Sequence, residues 1–554
     1  MVCQFLDVIG MEAATLGPLS HPCLMKILEL RNPDLYELIG CNDLSRLVLR
    51  RSEHGILNLL RSNYSLVDYC MGGTITALHL AVIWPKGLSL LIEHGGEYIQ
   101  SIINGCNGSL SPLHYAMYLA EVDSIVLLLN AGASISPQVF HGLDCIHPVE
   151  RAEKITHVVV ESFARQCKDL LQMALQYLPT ETIEKLELRN EELLDDKALI
   201  VAKALRQQRV PIPAAYDFLE HGSVYHSGNL TARIAQKFFE VGFCKISSRL
   251  HGHTPLMNQA QLFNNLKVFL DLASWFKDHG DNFHAPVHVP NDISHSRSMM
   301  KNDITPYGNP SRSSSTTHFL MFRLGELIYE CLYHPNLQQE CIRNHPLIPS
   351  LFGDDITDSC ACYCAAQGCT PTSKFFISIV DQARYLGHDK YVRLFGMIQL
   401  VEPTIPKNDK YRVSLEYIRL ATHWHLGMRH TCCQLKGYHD YRGQKTLVRF
   451  LDKNEIDEIQ GEERYLAQQL ETLVEEFEKK FRELNVPLSQ FMEEYQFPRL
   501  EEIRKERGEL SSNELQAIRE TGVVLHDDEE EEEEKEESFD VFLSTCIRAV
   551  MLSA

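Results

Sequence analysis

The stretch Ser111-Pro112-Leu113-His114 opens a segment that ends in Leu127-Leu128-Leu129-Asn130-Ala131-Gly132-Ala133. Ser111 suits the start of a helix because its hydroxyl can accept from a backbone N–H that the first turn leaves unpaired. Pro112 costs nothing at the first helical position, where no backbone donor is needed. Gly132 can take the left-handed conformation that ends a helix. This order predicts a short capped helix, a second apolar helix and a glycine stop.

Two further segments repeat this order. Thr76-Ala77-Leu78-His79 begins 35 residues before Ser111 and leads to an apolar run that ends in Gly95-Gly96, where we expect Gly95 to stop the helix. A third copy opens at Gly252-His253-Thr254-Pro255-Leu256-Met257. The spacing is close to the roughly 33-residue period of ankyrin repeats, whose units bury their apolar faces by stacking on one another. The pattern therefore predicts a helical solenoid.

The leucine and histidine positions that recur in these openings have simple structural roles. Leu78 and Leu113 are expected to point into the stack. His79 and His114 occupy the place from which an ankyrin histidine usually bonds to the backbone of a neighbouring loop. The alternative is that the two histidines bind a metal ion, and we favour the backbone role.

We predict an all-α fold, an ankyrin-repeat helical solenoid with divergent units and a helical C-terminal region. Segments 281–317 and 527–537 are expected to be unstructured, because neither can bury enough apolar surface to offset the entropy of ordering. Segment 462–484 carries one apolar stripe, which predicts an amphipathic helix. We expect it to dock on the chain's own solenoid, and the alternative is that it binds a partner. The predicted division of the chain is an N-terminal helical cap (1–40), ankyrin repeats (41–136), a helical region with divergent repeats (137–227), an ankyrin repeat (228–280), a flexible insert (281–317), a divergent repeat (318–350), a Cys-rich mixed helical region (351–460), an amphipathic helix region (461–500) and an acidic, largely disordered tail (501–554).

Several stretches beyond the repeat openings carry a family likeness. They are Leu49-Arg50-Arg51-Ser52-Glu53-His54-Gly55-Ile56-Leu57, Trp84-Pro85-Lys86-Gly87-Leu88, Gly242-Phe243, Cys362 to Cys369 with Thr370-Pro371, Gly427-Met428-Arg429-His430-Thr431-Cys432-Cys433 and Leu473-Val474-Glu475-Glu476-Phe477. With them the chain resembles, over about 40–500, the large ankyrin-repeat proteins of filamentous fungi. This resemblance implies a protein-interaction scaffold. The chain departs from the pattern at Ala77, where proline is usual. It also departs before residue 71, where no four-residue opening like Ser111–His114 (the tetrad) is present.

Composition limits the classes of partner. The net charge is −21, and an acidic chain lacks the basic surface that nucleic-acid binding requires. No stretch approaches the ~18 apolar residues of a membrane span, and Met1 to Asp7 lacks the basic and apolar parts of a signal peptide. We therefore expect a cytoplasmic or nuclear protein with a protein partner and neither nucleic acid nor membrane. Its 17 cysteines are expected to be free thiols.

Two cysteine-rich stretches are candidates for a metal site. Together they offer seven soft ligands: Cys360, Cys362, Cys364, Cys369, His430, Cys432 and Cys433. The C-x-C-x-C spacing is poor for zinc, and the two stretches lie about 60 residues apart. We therefore expect no metal and no other cofactor, with less than about half a zinc per chain in the purified protein.

The catalytic motifs are missing from the sequence. Gly443-Gln444-Lys445-Thr446 superficially resembles a phosphate loop, but Gln444 separates the glycine from the lysine. Neither a nucleophile elbow nor a zinc-protease motif is present. We therefore expect no enzymatic activity.

The preferred hypothesis is a protein-binding scaffold that uses the concave face of its ankyrin repeats. In such stacks the turn tips and inner helices line that face, and aromatic residues are effective interface anchors. The alternative for the aromatic residues is that they pack under a neighbouring unit. The candidate contact residues are Leu80, Ile83, Trp84, Tyr115, Tyr118 and Leu119.

A second hypothesis is an adaptor that recruits a ubiquitin ligase. The spacing of apolar residues near the N-terminus loosely resembles a helical F-box, although the opening Leu-Pro is absent. A pull-down with a Skp-type linker protein separates this hypothesis from a plain N-terminal cap that seals the solenoid. The residues concerned are Pro18, Leu24, Ile27, Leu28, Asp34, Leu35, Leu38 and Cys41.

Overall fold

The computed structural model places helices along most of the chain that it describes. Within that part, strands are confined to two ladders of two residues each, so the all-α class is confirmed. An N-terminal unit runs to Asn282 and a C-terminal unit begins at Phe283, except that the start of one helix near residue 266 groups with the C-terminal unit. The described residues are 42–62, 76–96, 99–104, 111–135, 149–213, 216, 223–226, 230–250, 254–260, 265–287, 314–331, 335–358, 362–385, 390–431, 435–436, 449–450 and 453–508.

Short helices pack in two rows at the start of the N-terminal unit. These helices are α1 (Asp43–Leu49), α2 (Glu53–Arg61), α3 (Ala77–Ala81), α4 (Pro85–His94), α5 (Ile99–Ile103), α6 (Pro112–Tyr118) and α7 (Val122–Asn130). Helix α3 contacts both α1 and α6, and α4 contacts both α2 and α7. Their facing side chains are buried, among them Leu44, Ile56, Leu78, Leu88, Leu113 and Leu128. The two rows are joined where Ser124 Oγ donates to the carbonyl of Val82 at 2.7 Å.

The same turn occurs twice, 69 residues apart. The N–H groups of Arg51 and Ser52 donate to the carbonyls of Val48 and Leu47 at 3.0 and 2.9 Å. At the equivalent positions the N–H groups of Ala120 and Glu121 donate to the carbonyls of Met117 and Ala116, both at 3.0 Å. Arg51 and Ala120 have φ of 54° and 55°. The backbone of this turn therefore recurs although the sequence of the first copy is degenerate.

The N-caps explain why each first helix begins where it does. Thr76 N–H donates to Nδ1 of His79 at 3.1 Å, and Ser111 N–H donates to Nδ1 of His114 at 3.2 Å. In the first copy, which lacks the tetrad, the Asn42 side chain accepts from the N–H of Ser45 at 2.8 Å. Both histidines therefore accept from backbone through Nδ1, but from the N-cap of their own helix, and the predicted bond to a neighbouring loop stays a prediction.

The glycine stops differ from the prediction at one position. Gly132 has φ of 88°, as expected for the residue that ends α7. In the preceding repeat Gly95 stays right-handed, with φ of −74°, and Gly96 takes the left-handed conformation with φ of 64°. The assignment of the stop to Gly95 was therefore wrong, because Gly95 is the right-handed C-cap of α4, as Ala131 is of α7, and the left-handed residue follows the C-cap.

His114→Ala is expected to lower the free energy of unfolding by about 1–2 kcal/mol, because the N–H of Ser111 loses its acceptor. A urea titration followed by circular dichroism measures the loss. His94→Ala, at an exposed position at the end of α4, is the matched control and should change little. A harmless His114→Ala that releases a bound metal would contradict the capping role.

The rest of the N-terminal unit is built on one long helix with an aromatic core. Helix α8 contacts α7, α10 and α11. Phe163 on α8 packs against Phe238 and Phe243, with ring centroids 5.9 and 5.5 Å away. The helices are α8 (Val149–Tyr177), α9 (Thr180–Lys185), α10 (Ala198–Gln207), α11 (Ala232–Glu240), α12 (Pro255–Ala260) and α13 (Leu266–Asp278), with 3₁₀ turns at Leu188–Asn190 and Val224–His226.

The ends of the predicted flexible insert are ordered. Strand β1 (Pro286–Val287) pairs antiparallel with β2 (Ser314–Ser315), and Thr317 N–H donates to the carbonyl of Phe283 at 3.1 Å. The prediction that all of 281–317 is unstructured was therefore wrong at both ends, where ladder and backbone bonds hold the chain. Its middle, 288–313, and the acidic block 527–537 lie outside the described residues.

The C-terminal unit packs its helices in a chain of contacts from α14 through α17 and α19 to α21. Helix α21 buries Leu470, Leu473 and Phe477, so the predicted amphipathic helix is confirmed, and it packs on α19 of its own unit rather than on the predicted solenoid. No described helix has the length and apolar character of a membrane span. The elements are α14 (Thr316–Cys331), α15 (Pro335–Asn344), α16 (Leu347–Phe352), α17 (Pro371–Tyr385), α18 (Lys390–Val401), a 3₁₀ turn (Glu402–Thr404), α19 (Lys410–His425), β3 (Leu435–Lys436), β4 (Arg449–Phe450), α20 (Lys453–Glu462), α21 (Arg464–Leu484), α22 (Leu488–Phe491), a π turn (Met492–Gln496) and α23 (Phe497–Gly508).

Candidate functional site

Most of the predicted concave-face residues are buried within their own chain. Leu80, Ile83, Trp84 and Tyr115 are 9% exposed or less. Tyr118 is 52% exposed, and Leu119 is partly exposed beside it. The four buried side chains are therefore corrected to core residues, and only Tyr118 and Leu119 remain available to a partner.

The two buried aromatic residues have specific packing roles. The Trp84 ring lies so close to Gly87 that a Cβ at that glycine would come within 2.1 Å of it. Tyr115 meets the ring of His79 edge-on, with centroids 5.4 Å apart, and burial raises the pKa of its hydroxyl. Both side chains therefore pack inside the N-terminal unit, as in the packing alternative, and do not anchor a partner. A partner could reach them only if the surrounding helices separated.

The C-terminal unit brings cysteines and histidines together. Sγ of Cys362, Sγ of Cys364 and a ring nitrogen of His430 all lie within 4.8 Å of one another. The rings of His423 and His430 have centroids 4.6 Å apart, and Cys369 Sγ lies 3.7 Å from Cys364 Sγ. These five residues, here called the cysteine–histidine cluster, are each 5% exposed or less.

The cysteine turn of the cluster is closed by paired hydrogen bonds. Asp358 N–H donates to the carbonyl of Cys369 at 2.9 Å, and Cys369 N–H donates to Asp358 Oδ1 at 2.8 Å. Lys374 Nζ lies 3.0 Å from the other carboxylate oxygen of Asp358. Gly368 has φ of 103°, and a Cβ there would lie 2.2 Å from the carbonyl oxygen of Asp358. The turn therefore requires glycine and holds its sulfur atoms in a fixed place.

The histidines of the cluster come from the end of α19 and the loop after it. His423 lies in the last turn of α19, and Gly427, with φ of 74°, turns the chain back so that His430 follows. The loop is fastened where the backbone N–H and Nε of Arg429 donate to Oε1 of Glu463 at 3.0 and 3.1 Å. The geometry of the cluster therefore rests on contacts outside it.

The imidazole rings of His423 and His430 are both buried. No described residue makes a hydrogen bond of ordinary geometry to any of the four ring nitrogens of His423 and His430. The thiol groups still act on them at longer range. Burial lowers the pKa of His430, but Cys362 and Cys364 outweigh burial and raise that pKa well above its ordinary value. Burial lowers the pKa of His423, and Cys362 opposes this effect.

Sequence reasoning found part of the cluster and missed part. It named Cys362, Cys364, Cys369 and His430 as ligand candidates but did not expect them to meet, and it did not include His423. The interval of seven residues between His423 and His430 was the available signal. Three other candidates, Cys360, Cys432 and Cys433, lie outside the described residues, as do the F-box-like segment before residue 42 and Gly443 to Thr446.

Comparisons with known proteins add no assignment. A comparison of the chain with models of known protein families finds no match, and a comparison with curated proteins finds none either. The function is therefore argued from the geometry of the chain itself.

Proposed function

We propose that the N-terminal unit is a non-catalytic protein-binding scaffold of the ankyrin type. The observation that carries this proposal is the repeated turn at Arg51 and Ala120, 69 residues apart, together with the rows formed by α1, α3 and α6 and by α2, α4 and α7. Stacked units of this kind gain stability only from their neighbours, and they present extended surfaces to partners. The capping histidines and the glycine stop at Gly132 support the same assignment.

Tyr118 is the proposed anchor of the binding surface. Ser111 and Glu121 are the N-caps of α6 and α7, and they lie ten positions apart in the chain. The N-caps of α3 and α4, Thr76 and Trp84, lie eight positions apart. The longer segment carries α6 further and leaves Tyr118 at its end 52% exposed, with Leu119 beside it. An exposed aromatic side chain on a rigid helix end is a good anchor, because it contributes a large contact area and loses little conformational freedom.

Affinity capture with the full chain as bait tests this proposal. Tyr118→Ala should weaken retention of the partner by roughly 30-fold, the effect of losing an aromatic anchor worth about 2 kcal/mol. Tyr177→Ala is the matched control, since Tyr177 is 51% exposed on α8, away from the predicted face. Circular dichroism confirms that both variants fold. Partners retained equally by all three baits would contradict the assigned surface.

A further inference from the structure

We propose that Cys362, Cys364, His423 and His430 bind one Zn²⁺ ion, which fastens the C-terminal unit. The site is separate from the proposed binding surface of the N-terminal unit and does not depend on it. It also reverses the expectation from sequence spacing, because the structure brings together two stretches that spacing alone left apart.

The distances among Cys362, Cys364 and His430 suit three ligands of a tetrahedral ion. Zinc bonds of roughly 2.3 Å to sulfur and 2.0–2.1 Å to nitrogen place neighbouring ligand atoms roughly 3.3–3.8 Å apart. The atoms of Cys362, Cys364 and His430 lie within 4.8 Å of one another, so closure on an ion needs movements of at most roughly 1 Å. Side-chain rotation about the fixed turn and loop can supply movements of this size.

The donor chemistry also favours zinc. Two thiolates and two imidazoles are the ligand set of many structural zinc sites, whereas magnesium and calcium require oxygen. The charge of two thiolates balances that of the ion, so the bound site can be buried without net charge. All four side chains are 5% exposed or less, which leaves no open position for a substrate. The proposed site is therefore structural rather than catalytic.

His423 is preferred to Cys369 as the fourth ligand. Cys369 also lies close, with its Sγ 3.7 Å from Cys364 Sγ. A thiol can be buried as a small apolar group without penalty. A buried imidazole without a partner costs free energy, and neither ring nitrogen of His423 makes an ordinary hydrogen bond to a described residue. Coordination by His423 gives one of these two nitrogens a partner, whereas coordination by Cys369 gives a partner to neither.

The ion would join parts of the unit that are distant in sequence. Cys362 and Cys364 lie in the turn before α17, and His423 and His430 lie at the end of α19 and in the following loop. Helices α17 and α19 already pack on each other. Zinc would fix the cysteine turn against α19, as does the hydrogen bond that the Arg419 side chain donates from Nε to the carbonyl of Tyr363 at 3.0 Å. Loss of the ion should therefore loosen this region first.

Zinc content of the full chain, purified under reducing conditions without chelator, is the primary test. We expect about one zinc per chain by elemental analysis. Cys364→Ser and His423→Ala should each lose the ion or bind it at least tenfold more weakly. Cys369→Ser and Cys167→Ser, which change buried cysteines outside the ligand set, should keep it. Less than half a zinc per chain after addition of zinc to the reduced wild type would overturn the proposal, and so would a zinc affinity within tenfold of the wild type in either ligand variant.

Cobalt substitution gives a readout that does not depend on variants. Co²⁺ added to the chelator-treated wild type should give the absorption of a tetrahedral ion with sulfur-to-cobalt charge transfer, and zinc should displace it. Octahedral cobalt, or a Cys362–Cys364 or Cys364–Cys369 disulfide in the freshly purified protein, would overturn the proposal. Loss of zinc on Cys369→Ser but not on His423→Ala would overturn the ligand set.

Discussion

Leu113→Ala should lower the free energy of unfolding by about 2–4 kcal/mol, the usual cost of a cavity at a buried leucine. Leu113 is fully buried on α6, which packs against both α3 and α7. The cavity would therefore open where α6 meets α3 and α7. Because the three helices share this packing, the loss should reach beyond α6 itself.

Urea titration followed by circular dichroism measures this effect, and hydrogen exchange locates it. Protection should fall across α3, α6 and α7. Leu175→Ala is the matched control, since Leu175 is 41% exposed on α8, and its effect should stay within about 0.5 kcal/mol. Equal effects of the two substitutions would show that α6 is not packed as described.

Asp195→Asn should remove a pH dependence of stability worth about 2–3 kcal/mol between pH 5 and 7. Asp195 is 4% exposed, and its Oδ1 accepts from the N–H of Val224 at 2.8 Å. No described residue makes a hydrogen bond to its Oδ2. Burial, opposed by the bond from Val224 and helped by the charge of Asp196, raises the pKa of Asp195 to about 8.

The sign follows from the two pKa values of the carboxyl group. In the unfolded chain its pKa is about 3.9, so between pH 4 and 8 the folded protein holds one proton more than the unfolded protein. The stability contributed by the protonated group is complete below about pH 4 and is lost as the pH rises toward 8. The neutral amide of Asp195→Asn mimics the protonated acid and should hold its stability across this range.

Unfolding titrations at pH 5, 6 and 7 measure the difference between wild type and variant at each pH, which cancels the contributions of other carboxyl groups. Asp169→Asn, the same change at an exposed position on α8, should leave the pH dependence of the wild type intact. A difference between Asp195→Asn and wild type that does not change with pH would mean that Asp195 is ionised in the folded protein.

Local signals in the sequence predicted the helices well. Ser111, Pro112 and Gly132 affect only the backbone within about one helical turn, so residue type alone predicted their roles. The burial of Trp84 could not, because it depends on a cap-to-cap segment two residues shorter than that of the next repeat. The N-cap at Asn42 was also not predicted. Asn42 caps α1 as Ser111 caps α6, but the residues after it do not repeat the Ser111–His114 sequence.

The cysteine–histidine cluster shows the limit of arguments from spacing. The turn at Cys362 and Cys364 and the loop at His430 meet because α17 and α19 pack on each other, and no interval along the chain encodes that contact. The short C-x-C spacing disfavours zinc only in a site where closely spaced cysteines supply all the ligands. In the proposed site, histidines from the end of α19 and the loop after it supply the other two ligands.

Hydrogen exchange of the full chain with and without its captured partner tests the scaffold proposal most directly. The proposal predicts added protection at the end of α6 and in the turn that follows, around Tyr118 and Leu119, with α8 near Tyr177 unchanged. Partner-dependent protection confined to other parts of the chain, with 111–121 unaffected, would contradict it.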